Sequence, residues 1–351
     1  MSINIEALLR EGAAFIEETG QGQEELKIGT LRGGNSGVLY TTEEGETVSV
    51  GSCARVAMLR SLGIKIVEDQ DDFSKGLMFG AGRANEDEWV KVLEASWLRV
   101  PGNGLLRETD VPTSWETRTG KRVTGRPDIV LTQDGTAKLG LELKQVCSLW
   151  TAIDVLADKP KAPHLAQAAH YSMALGVPFE LWYTNRSNYY SPADQLFWLS
   201  SKLPRHGARN YEYVDYKQKV SKKDGLTYWN AFRVIPFVKG FRLEWREQEK
   251  DGMPDKVVWV KPIDLDDSHF RQTVISENSL KAYYEAAATA PETDILPPGP
   301  QDHDAFGESK FALCDYCPLK DTCKSFKGGA REFIKLAQRQ ETVALANKEN
   351  S

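Results

Sequence analysis

The chain has 351 residues, of which 41% are hydrophobic and 27% are charged, and its formal net charge is −6 at pH 7. This composition is typical of a globular protein with one elaborated domain or two small ones, and no apolar run is long enough to suggest a membrane span. The negative net charge argues against a general affinity of the whole surface for nucleic acid. Five cysteines, an odd number in a long chain, argue against a disulfide scaffold.

The N-terminal part is predicted to form helices and a polar loop. Residues 1–20 are predicted to be helical, and the turn-rich residues 20–46 follow. Their glycine-rich stretch lacks the Gly-Lys-Ser/Thr of a phosphate-binding loop. A short helix is predicted to begin at Cys53, and a longer helix over 74–97 carries Glu86.

Two short apolar runs joined by a turn carry the most informative pattern. Asp128 precedes the apolar run 129–131, and Glu142 and Lys144 lie near the end of a strand predicted for 137–144. The Asp-Gly pair between the runs is a hairpin signal. Two carboxylates can hold Mg²⁺ or Mn²⁺ through oxygen, and a lysine can stabilise a phosphorane-like charge or help to deprotonate a water. These groups meet the needs of metal-assisted phosphodiester hydrolysis.

The register of this hairpin decides whether the two carboxylates meet. A three-residue loop over 134–136 would place Asp128 opposite Glu142, whereas a two-residue loop would place Asp128 opposite Leu141. We expect the three-residue loop. Because side chains alternate along a strand, Lys144 would then share the face of Glu142, and the leucines beside Glu142 would point into the core. The alternative is an ordinary exposed hairpin with one charged face.

A predicted helix after the hairpin carries an amide and a phenol on one face. Gln167 and Tyr171 are four residues apart, Pro163 lies near the start of the helix, and Gly176 marks its end. Both side chains can hydrogen-bond a phosphate or a base. Tyr171 can equally be a core aromatic. His170 falls on a different face and is predicted to be structural.

The segment 201–250 differs in charge from the rest of the chain. It has twelve Lys or Arg and six Asp or Glu, a net charge of +6, and is rich in aromatic residues. Interleaved basic and aromatic residues suit single-stranded DNA, through stacking on rings and capture of the backbone by cations. The alternative is a twisted β-meander with a core of aromatics and solvent-facing lysines. The predicted DNA-facing loop contains Lys217, Lys219, Lys222 and Lys223.

A cysteine triplet near the C-terminus indicates a metal site. Cys314, Cys317 and Cys323 form C-x2-C-x5-C, and Cys53 stands alone near the N-terminus. Four thiolates are the usual ligands of an iron–sulfur cluster and also of structural zinc. The fifth cysteine, Cys147, is predicted to be a small buried hydrophobe.

The remaining elements are predicted from local pattern. Residues 179–184 and 196–200 are predicted strands, and residues 267–290 are predicted to be helical. The proline-rich residues 297–300 break the chain before the cysteine triplet. A terminal helix is predicted over 332–347.

These motifs together resemble those of the PD-(D/E)xK nuclease superfamily. The resemblance rests on the Gly-Arg-Pro-Asp run that ends at Asp128, the Glu-Leu-Lys run that begins at Glu142, and the late cysteine triplet. Within the superfamily, the chain resembles RecB/AddB-like exonucleases, including the CRISPR-associated RecB-like type. Gln167 and Tyr171 fit the Q-x3-Y signature of that group, and Phe311 begins a segment similar to its W-x-x-C-x-x-C-P motif. The resemblance covers the chain from near the start of the Cys53 helix to the cysteine triplet.

The resemblance implies a fold and a cluster. The fold would be α/β with a restriction-endonuclease-like core, a mixed central sheet flanked by helices. A 4Fe–4S cluster would be closed by Cys53, Cys314, Cys317 and Cys323, in a subdomain built from N- and C-terminal parts. We divide the chain into an N-terminal helix and polar loop, a nuclease core, a basic aromatic β-rich segment, and the C-terminal helices with the cysteine segment, at residues 1–50, 51–200, 201–265 and 266–351.

The resemblance also implies roles for the residues that match the motifs. Asp128 and Glu142 would hold Mg²⁺ or Mn²⁺, with Glu86 assisting. Lys144 would position or activate the water. The matching histidine of the family is replaced here by Asn85, whose neutral oxygen can still bind a hard cation.

DNA is the partner that the resemblance implies, as ends or as single strands. Gln167 and Tyr171 would hold the scissile nucleotide, and Arg126 would contact DNA. The expected activity is that of a metal-dependent exonuclease in recombination, repair or spacer processing, in the cytoplasm of a prokaryotic or phage-infected cell. Recombination or CRISPR proteins, or further copies of the chain, are expected partners. The replacement by Asn85 leaves a second hypothesis open: a DNA-binding or assembly factor with a decayed nuclease centre. Zinc remains the alternative to the iron–sulfur cluster.

Overall fold

The protein is described from a computed structural model of the whole chain. The residues that it describes are 30–32, 36–64, 66, 72–107, 113–192, 211–214, 219–220, 227–228, 231–250, 252–300, 304–307, 317 and 319–349.

Strands and helices are mixed along the chain. The strands are β1 (Leu31–Arg32), β2 (Gly37–Thr41), β3 (Thr47–Gly51), β4 (Asn103–Arg107), β5 (Thr113–Glu116), β6 (Arg122–Gly125), β7 (Ile129–Gln133), β8 (Thr136–Gln145), β9 (Phe179–Asn185), β10 (Tyr189–Pro192), β11 (Tyr211–Val214), β12 (Lys219–Val220), β13 (Thr227–Tyr228), β14 (Ala231–Val234), β15 (Phe237–Lys250), β16 (Met253–Pro262) and β17 (Arg271–Ser276). The helices are α1 (Ala54–Ser61), α2 (Asp72–Ser96), α3 (Leu149–Leu156), α4 (Ala162–Leu175), α5 (Glu277–Thr293), α6 (Lys320–Ser325) and α7 (Ala330–Glu349).

A large mixed sheet forms the centre of the fold. Within the described residues its strand order is β17-β16-β15-β9-β8-β7-β4. All neighbouring pairs are antiparallel except β8 and β9, which are parallel. A parallel pair needs a long crossover, and here α3 and α4 supply it. The expected α/β class, with a mixed central sheet flanked by helices, is therefore confirmed.

The two faces of this sheet bury different cores. On one face α4 packs against β8 and β9, next to the buried Leu181 and Tyr183. On the other face α2 packs against β8, and Val90 contacts a cluster that includes Ile129, Leu131, Leu141 and Leu143 on β7 and β8. Residues 140–143 of β8 are all buried, so a charged side chain in this part of the strand faces protein rather than water.

Most of the helices that bear on the site are confirmed. The predicted helices at Cys53, over 74–97 and over 332–347 correspond to α1, α2 and α7. The predicted strand 179–184 is β9. The predicted helix 1–20 and strand 196–200 lie outside the described residues. No helix in the described part of the chain combines the length and the apolar character that crossing a membrane requires.

The helix predicted over 267–290 is wrong in its first part. Residues 267–269 form one short turn, and β17 follows as an edge strand on β16. The helix begins only at Glu277, where the Ser276 hydroxyl accepts a hydrogen bond from the Ser279 N–H and the Ser279 hydroxyl bonds back to the Ser276 backbone. This reciprocal cap satisfies backbone donors that a continuous helix would not leave open, so it fixes the boundary.

Candidate metal and nucleic-acid site

The turn of the β7–β8 hairpin differs from the one predicted. Gln133 lies opposite Thr136, so the loop is the two-residue Asp134-Gly135 and not the expected three-residue loop. Both residues have positive φ, 50° at Asp134 and 73° at Gly135. This is the signature of a type I′ turn, which Asp-Gly sequences favour.

A β-bulge then changes the register by one residue. Thr132 lies opposite Ala137 and Leu131 opposite Leu139, which leaves Lys138 as the extra residue of the bulge. Beyond it Ile129 lies opposite Leu141. One step further, this register places residue 128 opposite residue 142, so the pairing we expected is reached by a different route.

In the hairpin, Glu142 and Lys144 form a direct ion pair, and Asp128 is hydrogen-bonded to the backbone between them. The Asp128 Oδ2 accepts a hydrogen bond from the Leu143 N–H at 2.6 Å. Glu142 is completely buried, and the Lys144 ammonium donates to its Oε1. Lys144 retains 21% side-chain exposure, so the ion pair reaches the surface only at its lysine. The leucines on either side of Glu142 are buried on the opposite face, as predicted.

Burial and like charge make the Glu142 carboxyl unusual. Burial, followed by the nearby Asp128 carboxylate, raises the pKa of Glu142 from 4.5 to about 8, against the opposing effect of Lys144. Glu86 on α2 adds a smaller effect of the same sign. Burial alone would lower the pKa of Lys144, but Glu142 and then Asp128 raise it, so the ammonium stays charged. The structure therefore brings Glu86, Asp128, Glu142 and Lys144 into one electrostatic cluster.

Two buried oxygens near this cluster lack hydrogen-bond donors. Within the described residues, Glu142 Oε2 and Asn85 Oδ1 are buried with no partner. Asn85 is 2% exposed and precedes Glu86 on α2, the helix that packs against β8. A buried oxygen without a donor is costly, and a cation bound at either oxygen would offset that cost.

The cluster is not a formed coordination shell. Across the described ranges, no three His, Cys, Asp or Glu side chains are grouped so that they could hold one metal ion. Glu142 Oε1 is instead engaged by Lys144. The arrangement is a like-charge cluster neutralised by a lysine, with donor atoms of the type that Mg²⁺ and Mn²⁺ prefer.

The amide and the phenol on α4 lie over this cluster. The Gln167 Nε2 donates to the Tyr171 Oη at 3.1 Å, so the two share a helix face as predicted. Burial, then the nearby Glu142 carboxylate, raises the pKa of Tyr171 well above its ordinary value. The ring covers Gly125, where an added Cβ would lie 2.4 Å from a ring carbon. Tyr171 is thus a core aromatic that also approaches Glu142.

His170 has the structural position that was predicted. It is fully buried and its Nδ1 accepts a hydrogen bond from the Trp115 Nε1 at 3.0 Å. Burial lowers the pKa of His170 to about 3, so the ring is neutral.

Sequence reasoning missed a second polar pair on the same side of the sheet. The His164 Nδ1 and the Tyr183 Oη are 2.9 Å apart, and Tyr183 lies beside Lys144 in the parallel β8–β9 register. The signal was present in the sequence, since His164 precedes Gln167 by three residues and Tyr171 by seven, which places all three on one helix face.

The cysteines converge in part. Cys53 is the N-cap residue of α1, and it interacts electrostatically with Cys323, which in turn interacts with Cys317. Burial raises the pKa of the Cys53 thiol to about 12. Cys314 lies outside the described residues. Our prediction that Cys147 is a small buried residue is wrong: it is exposed, because it lies in the turn between β8 and α3.

Two of the predicted DNA contacts, Arg126 and Lys219, lie within the described residues. Arg126 is exposed at the entrance to β7. Lys219 lies in the short strand β12, opposite Tyr228, and not in a loop as predicted. Lys217, Lys222 and Lys223 lie outside the described residues.

Comparison of the chain with protein-family models, with curated proteins and with solved structures finds no match in any of the three. Functional inference therefore rests on the geometry of the charged cluster and on the motifs quoted above.

Proposed function

We propose that the protein is a divalent-metal-dependent deoxyribonuclease of the PD-(D/E)xK type, acting on DNA ends or single strands. The observation that carries this proposal is the fully buried Glu142, which lies between Asp128 and Lys144 and has one oxygen without a donor. Burying a carboxylate in a like-charge environment costs stability. Such an arrangement is typical of functional sites.

Each residue of the cluster has a chemical task in this proposal. Asp128 and Glu142 would hold Mg²⁺ or Mn²⁺, with Glu86 as a further carboxylate. The bound metal would polarise the phosphate and acidify a water. The Lys144 ammonium, kept charged by its neighbours, stabilises negative charge that develops on the phosphate. Gln167 and Tyr171 offer polar hydrogens at the same face of the sheet, where a nucleotide can be oriented.

The cysteines support a separate, structural metal site in this proposal. Cys53 and Cys317 each interact electrostatically with Cys323, and Cys314 would supply the fourth thiolate. A clasp between the two ends of the chain closes a loop of roughly 260 residues, which restricts the unfolded state. Thiolate ligands suit either a 4Fe–4S cluster or zinc. An absorbance shoulder at about 400 nm, expected for iron–sulfur clusters, would distinguish the two.

The test is a cleavage assay on end-labelled and circular single-stranded DNA, with protein prepared without oxygen and supplied with Mn²⁺. We expect cleavage by the wild type and its loss in Asp128→Asn and Lys144→Ala. Asp134→Asn is the matched control, because Asp134 lies in the turn of the same hairpin and Asn also tolerates positive φ. Undiminished cleavage by Asp128→Asn would refute the proposal.

One observation favours a second candidate, a DNA-binding or assembly factor with a decayed nuclease centre. Asn85 is neutral, and Lys144 already occupies one oxygen of Glu142. DNA binding by the wild type with no turnover in Mn²⁺ or Mg²⁺ would support this candidate over the nuclease.

A further inference from the structure

A row of three polar side chains on α4 runs alongside the charged cluster. His164, Gln167 and Tyr171 follow one another at helical spacing, and α4 packs against β8 and β9. Tyr171 approaches Glu142 at one end of this row. His164 lies at the other end and is hydrogen-bonded to Tyr183 of β9, which pairs with Lys144 of β8. The row therefore follows the line from Glu142 to Lys144.

Hydrogen bonding at Tyr183 favours one tautomer of His164. The Tyr183 Oη accepts a hydrogen bond from the Lys161 N–H at 3.0 Å. The arrangement in which the phenol donates its own hydrogen to the His164 Nδ1, 2.9 Å away, gives Tyr183 one accepted and one donated hydrogen bond. The proton of the neutral ring must then reside on Nε2. The tilted ring contact, with centroids 5.6 Å apart, holds His164 against Tyr183.

The surroundings keep this ring neutral. Burial, then the ammonium groups of Lys144 and Lys161, lowers the pKa of His164 well below its ordinary value. The residue as a whole is half-buried, and within the described residues its Nε2 makes no hydrogen bond. A neutral N–H donor near the ammonium groups of Lys144 and Lys161 is suited to an oxygen that carries negative charge.

We propose that His164 is a substrate-contacting residue that donates its Nε2–H to a DNA phosphate next to the scissile one, and that Tyr183 positions it by fixing the tautomer. This inference rests on the proposed nuclease function and adds a named contact to it. Tyr183 does not touch the substrate in this scheme.

Amide substitutions separate the two nitrogens of the ring. The Gln amide nitrogen can replace Nε2, whereas the Asn amide reaches only the position of Nδ1. We expect His164→Asn to lower kcat/KM by about tenfold to a hundredfold, the range for loss of a hydrogen bond to a charged group. His164→Gln should stay within about fivefold of wild type, a smaller loss because its donor is retained. Tyr183→Phe should lower kcat/KM by about threefold to tenfold, because the Nε2–H tautomer is no longer enforced.

A modified substrate supplies a readout that a purely structural role would not change. A single methylphosphonate next to the scissile phosphate removes the charge that His164 would contact. It should slow the wild type and His164→Gln, but have little further effect on His164→Asn. The melting temperature of each variant shows whether it is folded. If His164→Asn does not fold, the single variants His164→Gln and Tyr183→Phe still test the contact.

The outcomes distinguish this inference from the proposed function. If wild-type protein does not cleave DNA, the nuclease proposal fails. If the wild type cleaves and folded His164→Asn stays within twofold of it, or if the methylphosphonate slows wild type and His164→Asn equally, the phosphate contact is refuted while the nuclease proposal stands.

Discussion

Protons should compete with the metal ion for Glu142. Burial and Asp128 raise the pKa of this carboxyl to about 8, whereas an ordinary glutamate has a pKa of 4.5. A cation can use Glu142 fully only when the carboxyl is ionised. Below pH 8 the proton must be displaced, and the apparent affinity should fall about tenfold per pH unit. Between pH 8 and pH 6 we expect a loss of about a hundredfold.

Isothermal titration calorimetry with Mn²⁺ measures this competition without DNA or turnover. At pH 7, binding should release close to one proton per ion, detected as a difference in heat between buffers of unequal ionisation enthalpy. Lys144 does not contribute, since its neighbours keep it charged. Glu142→Gln should bind the ion weakly and lose the proton release.

The competing expectation is equally definite. An exposed glutamate would already be ionised at pH 6, so its affinity for Mn²⁺ would hardly change up to pH 8. A flat profile with no proton release, in protein that still needs Glu142 for binding, would show that burial and like charge do not act on this carboxyl as we have argued.

Three further predictions follow from contacts elsewhere in the molecule. Gly125→Ala should lower the free energy of unfolding by about 1–3 kcal/mol in chemical denaturation, because the new Cβ overlaps a buried tyrosine ring, whereas Gly82→Ala, with open space around it, should not destabilise. His170 is neutral in the folded protein, but in the unfolded chain it takes up a proton below pH 6.5. The free energy of unfolding should therefore fall by about 1.4 kcal/mol per pH unit as the pH drops from 6.5 towards 3. His170→Gln should remove this contribution to the pH dependence. Cys317→Ser should remove the visible absorbance or the bound zinc and lower the melting temperature, whereas the exposed Cys147→Ser should leave both unchanged.

Hydrophobic alternation proved a better guide to the site than the turn. In a regular two-residue hairpin, Leu131 would lie opposite Lys138 and Ile129 opposite Gly140. The bulge moves the register so that both apolar residues on β7 meet leucines on β8 and all of them pack under α2. We predicted the same pairing of Asp128 with Glu142 but assigned the extra residue to the loop. The Asp-Gly pair favours the shorter turn, and the bulge at Lys138 then restores the apolar pairing within the strand.

Long-range packing explains most of what could not be predicted. The bond between His164 and Tyr183 depends on the packing of α4 on β9. The position of Tyr183 beside Lys144 depends on the parallel pairing of β8 with β9, which no local pattern specifies. The predicted helix over 267–290 failed because its first part adds to the edge of the sheet through β16. Helices α2, α4 and α7, whose spacing and caps are local, were predicted to within a few residues.

The bulge itself can be tested by deletion. Removing Lys138 would leave a regular two-residue hairpin in which Ile129 still faces Leu141, so Asp128 should remain opposite Glu142. We expect this deletion to preserve Mn²⁺ affinity in calorimetry and to change the melting temperature little.

Deleting Gln133 from the facing strand is the matched comparison. It shortens β7 by one residue while the bulge remains, so Asp128 would move opposite Leu141 and its side chain would leave the face of Glu142. We expect Mn²⁺ binding to be lost in this variant, with circular dichroism used to establish that the sheet still forms. Only the deletion of Gln133 changes which residues face each other. If both deletion variants fold and bind Mn²⁺ with equal affinity, register does not bring these carboxylates together.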